Sequence, residues 1–194
     1  MDIRKISIVG SGTLGIMYGR FLSRHLPAGS VRFVADENLI ETYKNTPITC
    51  NGTPCDFTFI PFGTDDPADL VIFAMRFGEL DDVIRRIGSQ VGKNTVILSL
   101  INGITSQDML SRAFGNDRVL LCTVQGMDVS RTGNDITYTD MGILNIGTHD
   151  GLPTDFIKML TSFFDSAGFP YNLSTDMKKS LWERLVFNTG ICQA

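Results

Sequence analysis

Near the N-terminus a short run of apolar and β-branched residues, Ile6-Ser7-Ile8-Val9, passes directly into Gly10-Ser11-Gly12-Thr13-Leu14-Gly15 and then into an apolar pattern of helical period through Ile16, Met17, Tyr18 and Leu22. That order predicts a buried strand, a tight turn and a helix. Each glycine of the GxGxxG spacing has its own role, since Gly10 makes the turn, Gly12 lets backbone approach a ligand, and Gly15 lets the helix pack close to the strand. Orphan N–H groups and the helix dipole favour an anion at such a helix start, so residues Gly10, Ser11, Gly12, Thr13, Leu14 and Gly15 read as a cradle for the diphosphate of a dinucleotide. A second strand, Val31-Arg32-Phe33-Val34-Ala35, ends in Asp36, where a Rossmann fold places the acidic residue that meets the ribose. An isolated glycine-rich turn would not come with this strand–helix–strand–acid context.

The rest of the chain repeats the alternation. Asp69 to Met75 and Thr95 to Leu100 read as strands apolar on both faces, which is the pattern of a parallel sheet covered by helices. Helices are expected from Thr13 to the Pro27-Ala28-Gly29 stop, over Glu37 to Lys44, over Glu79 to Ile87, and from Thr105 to Gly115 with N-cap chemistry in Thr105 to Asp108. Ile48 to Asp66 reads as a loop with one edge strand at Phe57 to Ile60. Val119 to Gln125 is a further strand, followed by a hairpin contained within Asp135 to Thr148. Pro153 introduces a helix over Phe156 to Ala167, and Thr175 or Asp176 caps a last helix. The fold class is therefore α/β, a Rossmann-type doubly wound and mostly parallel sheet, with ligands at the carboxyl ends of the strands. Met75-Arg76 and Ile101-Asn102-Gly103 fall at those ends. Arg184, Asn188 and Cys192 share one line of the last helix.

Composition excludes several classes. A chain of 194 residues with net charge −4 lacks the basic surplus of a nucleic-acid binder. The longest apolar runs are strand-sized, and Asp2, Arg4 and Lys5 interrupt any signal-peptide core, so no membrane partner is expected and the location reads as cytoplasmic. Of the four cysteines, Cys50 and Cys55 flank Asn51 to Pro54, but no second pair lies at ligand spacing, so reduced thiols and no metal are expected.

On three stretches the chain resembles the ketopantoate reductases (2-dehydropantoate 2-reductases): the N-terminal GxGxxG, Ser99-Leu100-Ile101-Asn102-Gly103-Ile104-Thr105-Ser106, and Trp182-Glu183-Arg184-Leu185-Val186-Phe187-Asn188. The resemblance covers essentially the whole chain. It implies a Rossmann domain over residues 1–172 and, over 173–194, the first helix of a helical domain whose remainder is absent. It further implies NADPH-dependent reduction of ketopantoate to pantoate, on the path to pantothenate and coenzyme A. By the same resemblance Gly10 to Gly15, Met75, Arg76 and Asn102 contact cofactor, Asn102 and Arg184 act in catalysis, and Asn102, Arg184, Asn188 and Cys192 bind substrate.

Two positions depart from the family pattern. Arg76 and Arg184 stand where the family carries lysines, the second of them catalytic. Arginine keeps its proton and is a poor donor, so Arg184 suits carboxylate binding or carbonyl polarisation, and proton delivery falls to water or another group. Asp36 hydrogen-bonds a ribose 2′-OH and repels a 2′-phosphate, which favours NAD, whereas the resemblance implies NADP with Arg32 or Lys44 nearby. NADP is the expected cofactor, with NAD open because of Asp36. The competing reading is a non-catalytic NAD(P)-binding protein of the same fold. The expected partner is a small 2-oxoacid, and the apolar face of the last helix, with Trp182, Leu185 and Val186, is expected to lead either to self-association or to disorder of the helix's last turns.

Overall fold

The structure, a computed structural model, describes residues 2–192, with the side chains of Asn188, Thr189, Ile191 and Cys192 outside the description. Strand β1 (Ile6–Val9), helix α1 (Thr13–Ser23) and strand β2 (Val31–Ala35) follow the predicted order. Next come α2 (Glu37–Asn45), the short strands β3 (Thr49–Cys50) and β4 (Thr53–Pro54), then β5 (Thr58–Pro61) and β6 (Ala68–Phe73). Helix α3 (Leu80–Arg86), β7 (Val91–Ser99), α4 (Thr105–Phe114) and the long strands β8 (Val119–Thr132) and β9 (Asp135–Gly147) continue the chain. It closes with α5 (Asp155–Ala167), β10 (Tyr171–Leu173) and α6 (Met177–Cys192).

One sheet carries all the strands in the order β4-β3-β9-β8-β7-β6-β1-β2-β5, with β10 beside β9. From β5 to β8 every neighbouring pair is parallel. Side chains alternate across these strands, so Leu70 and Ile72 join a core with α1 and α5, whereas Val71 and Phe73 join a second core with α3 and α4. Burial on both faces is why β1 and β6 read as unbroken apolar runs.

The sheet is mostly parallel, as expected, and its far end adds to the doubly wound expectation a mixed, curled extension. There β9 runs antiparallel to β8 and parallel to β3, and β3 pairs antiparallel with β4, so the sheet is mixed. It curls over α1: the Tyr18 hydroxyl donates to the Met141 carbonyl at 3.2 Å, and burial pushes that phenol's pKa up. Helix α1 is thus held between the parallel strands and the curled end.

Local expectations change for identifiable reasons. Residues 119–125 and the hairpin placed within 135–148 are one hairpin, in which β8 runs to Thr132 and turns at Gly133-Asn134. Gly142 misled the pattern because it breaks the alternation without ending the ladder: it takes φ +71°, and a Cβ there would lie 2.4 Å from the Gln125 carbonyl. Residues 48–66 hold the expected edge strand as β5 and also the β3–β4 hairpin. Helix α1 ends at Ser23, before Pro27. No side chain caps α4; Ser99 Oγ donates instead to Ser106 Oγ at 3.1 Å, within the core. Thr154, not Pro153, begins α5 by accepting from the Ile157 N–H, and Asp176 caps α6 by accepting from the Lys179 N–H at 3.0 Å.

At the amino ends of the parallel strands a polar cluster ties the sheet together. Arg32, 5% exposed, donates to Ser7 Oγ and Gln90 Oε1 and pairs with Asp66, which also takes Lys5. The two cations hold the Asp66 carboxyl below its ordinary pKa. A depressed native pKa stabilises the fold above the unfolded carboxyl value of about 3.9, and that contribution is lost as pH falls from there through the native value. Asp66→Asn, which leaves the buried guanidinium short of its counter-charge, is expected to lower stability at pH 7 by about 1–3 kcal/mol. Urea unfolding of the variant should also show a flatter acid limb than the parent; an unchanged limb would assign the acid sensitivity elsewhere.

Candidate nucleotide cleft

The carboxyl ends of β1, β6 and β7 open on a cleft of about 480 Å³, lined by Gly10 to Leu14, Leu39, Tyr43, Ala74 to Arg76, Glu79, Leu100 to Asn102 and Arg131. That volume suits a small-molecule ligand. Its floor is the turn at Gly10, which takes φ +98° and lies so near β6 that a Cβ would sit 2.5 Å from the Ala74 carbonyl oxygen. Gly12 is the residue before α1, and a Cβ there would meet the same oxygen at 3.0 Å.

The first bond within α1 runs from Ile16 N to Gly12 O, at 3.0 Å. The N–H groups of Thr13, Leu14 and Gly15 therefore have no carbonyl one turn back, and no acidic side chain occupies the first turn of α1. This leaves the positive end of the helix facing the cleft, suited to an anion.

Two side chains fix the loop. Ser11 Oγ shares a 2.8 Å hydrogen bond with the Tyr43 hydroxyl, and Arg131 Nη1 donates to the Ser11 carbonyl at 2.6 Å. Arg131 belongs to β8, more than a hundred residues away, and reaches the loop because the β8–β9 hairpin curls over α1. Its guanidinium adds a cation at the place where the helix dipole already favours negative charge.

Past Leu39 the cleft continues into an open recess of about 670 Å³ lined by Asp36, Glu37, Thr42, Phe62 and Arg86 among others. The Asp36 carboxylate does not cap α2; it pairs with Arg86, which also pairs with Asp82 and lies 4.1 Å from the centre of the Phe62 ring. The basic residues expected beside Asp36 are elsewhere. Arg32 is locked in the Asp66 cluster at the opposite end of the strands, and Lys44 pairs with Glu41 on the surface.

On the other side, Asn102 lines both the cleft and a small void of about 20 Å³, room for a single water, which it shares with Cys122, Thr123 and Arg184. The structure thus brings Asn102 and Arg184 together, α6 being seated by Met177 and Leu181 against Leu121 of β8. Thr123 Oγ1 is buried without a hydrogen-bond partner, and burial raises the Cys122 thiol to about 12. Met75 and Arg76 line the cleft as expected. Asn188 and Cys192, the other expected substrate residues, lie outside the described side chains. Among the described residues no cluster of metal-ligating side chains occurs, and no helix is long and apolar enough to cross a membrane.

The profile of a protein family described as ketopantoate reductase PanE/ApbA matches residues 6–151, which include this entire cleft. The chain belongs to that family. A 2-dehydropantoate 2-reductase of Aquifex aeolicus is 25% identical over 201 residues, covering 97% of this chain and 61% of the relative. The crystal structure of a 2-dehydropantoate 2-reductase from Geobacter metallireducens superposes with a TM-score of 0.80 at 25% identity, covering 95% of this chain and 62% of that one. A ternary D-mandelate dehydrogenase with NADH and anilino(oxo)acetate shares the fold, with a TM-score of 0.78 at 18% identity, over 92% of this chain and 59% of that one. The chain thus spans about three-fifths of the length of these relatives.

Sequence reading alone missed Arg131, Arg86, Tyr43 and Thr123, none of which sits in a local motif. Gly10 was legible, and its contacts make a sharp test. Gly10→Ala places a methyl against β6 backbone at a positive φ, so it is expected to cost about 2 kcal/mol or more in chemical denaturation. A variant of parental stability would show that the turn is not pressed against Ala74.

Proposed function

We propose that this chain carries the cofactor half of an NAD(P)H-dependent 2-oxoacid reductase of the ketopantoate type, reducing ketopantoate to pantoate. The observation that carries the reading is the Gly10–Gly15 loop, with the unpaired N–H groups of α1 and the Arg131 guanidinium converging on one cleft. A dinucleotide suits the site because Gly10 and Gly12, lacking a Cβ, let the loop lie against Ala74, with the start of α1 at the cleft where a diphosphate would sit. Bound there, the nicotinamide supplies hydride to the ketone carbon.

The chain's own residues do the rest. Helix α1 and Arg131 hold the diphosphate, and Asn102 orients ribose and substrate together. Arg184 steadies the charge that grows on the ketone oxygen or holds the substrate carboxylate. Because a guanidinium keeps its proton, the acid is water, and the void beside Asn102, Thr123 and Arg184 has room for one. Residues 1–172 form the dinucleotide-binding unit in this reading, and α6 opens the helical part that follows.

Asp36 decides between the two cofactors. A 2′-phosphate would lie against its carboxylate, whereas a free 2′-OH donates to it, and Arg86, which lines the same recess, is already paired with Asp36 and Asp82. This geometry favours NADH over the NADPH that the family resemblance implies. Titration followed by nicotinamide fluorescence should show NADH binding at least about tenfold tighter than NADPH, a gap of about 1.4 kcal/mol. Asp36→Ala should narrow it. Equal or tighter binding of NADPH would overturn the assignment, and no binding of either would overturn the reductase reading.

Arginine at the lysine positions favours a second reading, a dinucleotide-binding protein without turnover. NADH oxidation in the presence of ketopantoate separates the two, since binding without oxidation supports the second. On α6, Trp182, Val186 and Phe187 are each more than half exposed. We read this apolar face as a self-association surface. Sedimentation should show an oligomer that Trp182→Glu with Val186→Glu reduces to a monomer, and a monomeric parent would end that proposal.

A further inference from the structure

A second cluster of reactive groups lies away from the cleft, against the C-terminal half of α1. The β3–β4 hairpin turns through Asn51 and Gly52, both at positive φ, +50° and +70°. This is the pattern of a two-residue type I′ turn. Cys50 pairs with Thr53, and the Cys55 N–H donates to the Ile48 carbonyl at 2.9 Å. Cross-strand partners share a face, as do residues two apart, so Cys50 and Cys55 project to the same side, toward the core around α1.

The two thiols lie near enough on that face to perturb each other's ionisation, the Cys55 thiol donates to the Thr53 carbonyl at 3.9 Å, and their surroundings are unequal. Cys50 is buried at 3% exposure, whereas Cys55 is partly exposed. Arg20 near the end of α1 and Arg24 just past it act on Cys55, with Asp135 of β9 opposing them; Tyr138 of β9 completes the group. The Arg20 Nε is buried with no hydrogen-bond partner. The neighbouring Cys50 thiol and the two guanidiniums pull the Cys55 thiol below its ordinary pKa, while Cys55 and burial hold the proton on Cys50. Asn51 pins the hairpin to β9: its side-chain amide donates to the Tyr138 carbonyl at 3.0 Å and accepts from the Tyr138 N–H at 2.8 Å. Strand β4 is exposed on the outer edge, so it can close the remaining distance that a disulfide needs.

We propose that Cys55 and Cys50 form a peroxide-sensitive thiol pair, with Cys55 the nucleophile and Cys50 the resolving thiol. The Cys55 sulfur attacks one oxygen of a hydroperoxide; the O–O bond breaks and leaves a sulfenic acid on Cys55 and, from hydrogen peroxide, water. The Cys50 sulfur then attacks the sulfenic sulfur, the S–S bond forms, the S–O bond breaks, and a second water leaves. Two thiols and one hydrogen peroxide become one disulfide and two waters, the two electrons passing from sulfur to oxygen. None of these residues lines the nucleotide cleft, so the proposal stands independently of the reductase reading.

The test uses the native chain and hydrogen peroxide. Trypsin releases both thiols in one peptide, residues 45–76, because no lysine or arginine precedes Arg76 in it. Near-stoichiometric peroxide should make this peptide lighter by two hydrogens. Cys50→Ser should stop at a dimedone-trappable sulfenic acid on Cys55, and Cys55→Ser should leave Cys50 unmodified at the same dose. A measurement that needs no variant is iodoacetamide labelling at pH 7, in which Cys55 of the folded chain should react at least about tenfold faster than in urea. Equal labelling of folded and unfolded chains overturns the assignment of Cys55 as nucleophile. A peptide that keeps its mass under peroxide, or oxidation falling first on Cys122 or Cys192, overturns the pair.

Discussion

The turn at Gly10 is pressed against the end of β6, and this contact sets where everything else can lie. A side chain at Gly10 would strike the Ala74 carbonyl, one at Gly15 would strike the Gly10 carbonyl at 2.5 Å, and one at Gly19 would strike the Phe33 ring at 2.7 Å. Gly15 and Gly19 are one turn apart on the face of α1 that meets the sheet, so the helix can sit against the strands without side chains between. Close seating aims the helix start at the strand ends, and there its unpaired N–H groups face the cleft. A helix held further out by side chains would present the same dipole to open solvent.

The cations are divided between the two ends of the sheet by what surrounds them. Arg32 and Lys5, at the amino ends, are consumed by Asp66 and hold strands together. Arg76 and Arg131, at the carboxyl ends, line the cleft. Although the net charge is −4, the cleft lining itself is positive, with Arg76 and Arg131 set against the single carboxylate of Glu79. In the adjoining recess Asp36 and Glu37 bring negative charge, and Arg86 pairs with the Asp36 carboxylate there.

Curling of the sheet produces the remaining features. It carries Arg131 to the glycine loop, closes over Tyr18, and lays the β3–β4 hairpin on β9, where Cys50 and Cys55 come under the influence of Arg20 and Arg24. A flat sheet of the same strands would leave α1 covered on one side only. The extra antiparallel end thus adds charge to one face of the cleft and a thiol pair to the far end of the same helix.

Much of this was legible in the residues themselves. The glycine spacing after Ile6–Val9, the two-faced apolar strands and the terminal acid of β2 are local patterns, fixed by backbone sterics and by burial on both faces, so they hold whatever the rest of the chain does. The family resemblance singled out Asn102 and Arg184, and the structure brings them to one void. What only the tertiary structure decided was the joining of distant pieces: Arg131 onto Ser11, Arg86 onto Asp36, and one long hairpin where the interruption at Gly142 suggested separate strands. Those contacts depend on how far the sheet curls and where α3 crosses it, quantities set by the packing of the whole core rather than by any run of neighbouring residues.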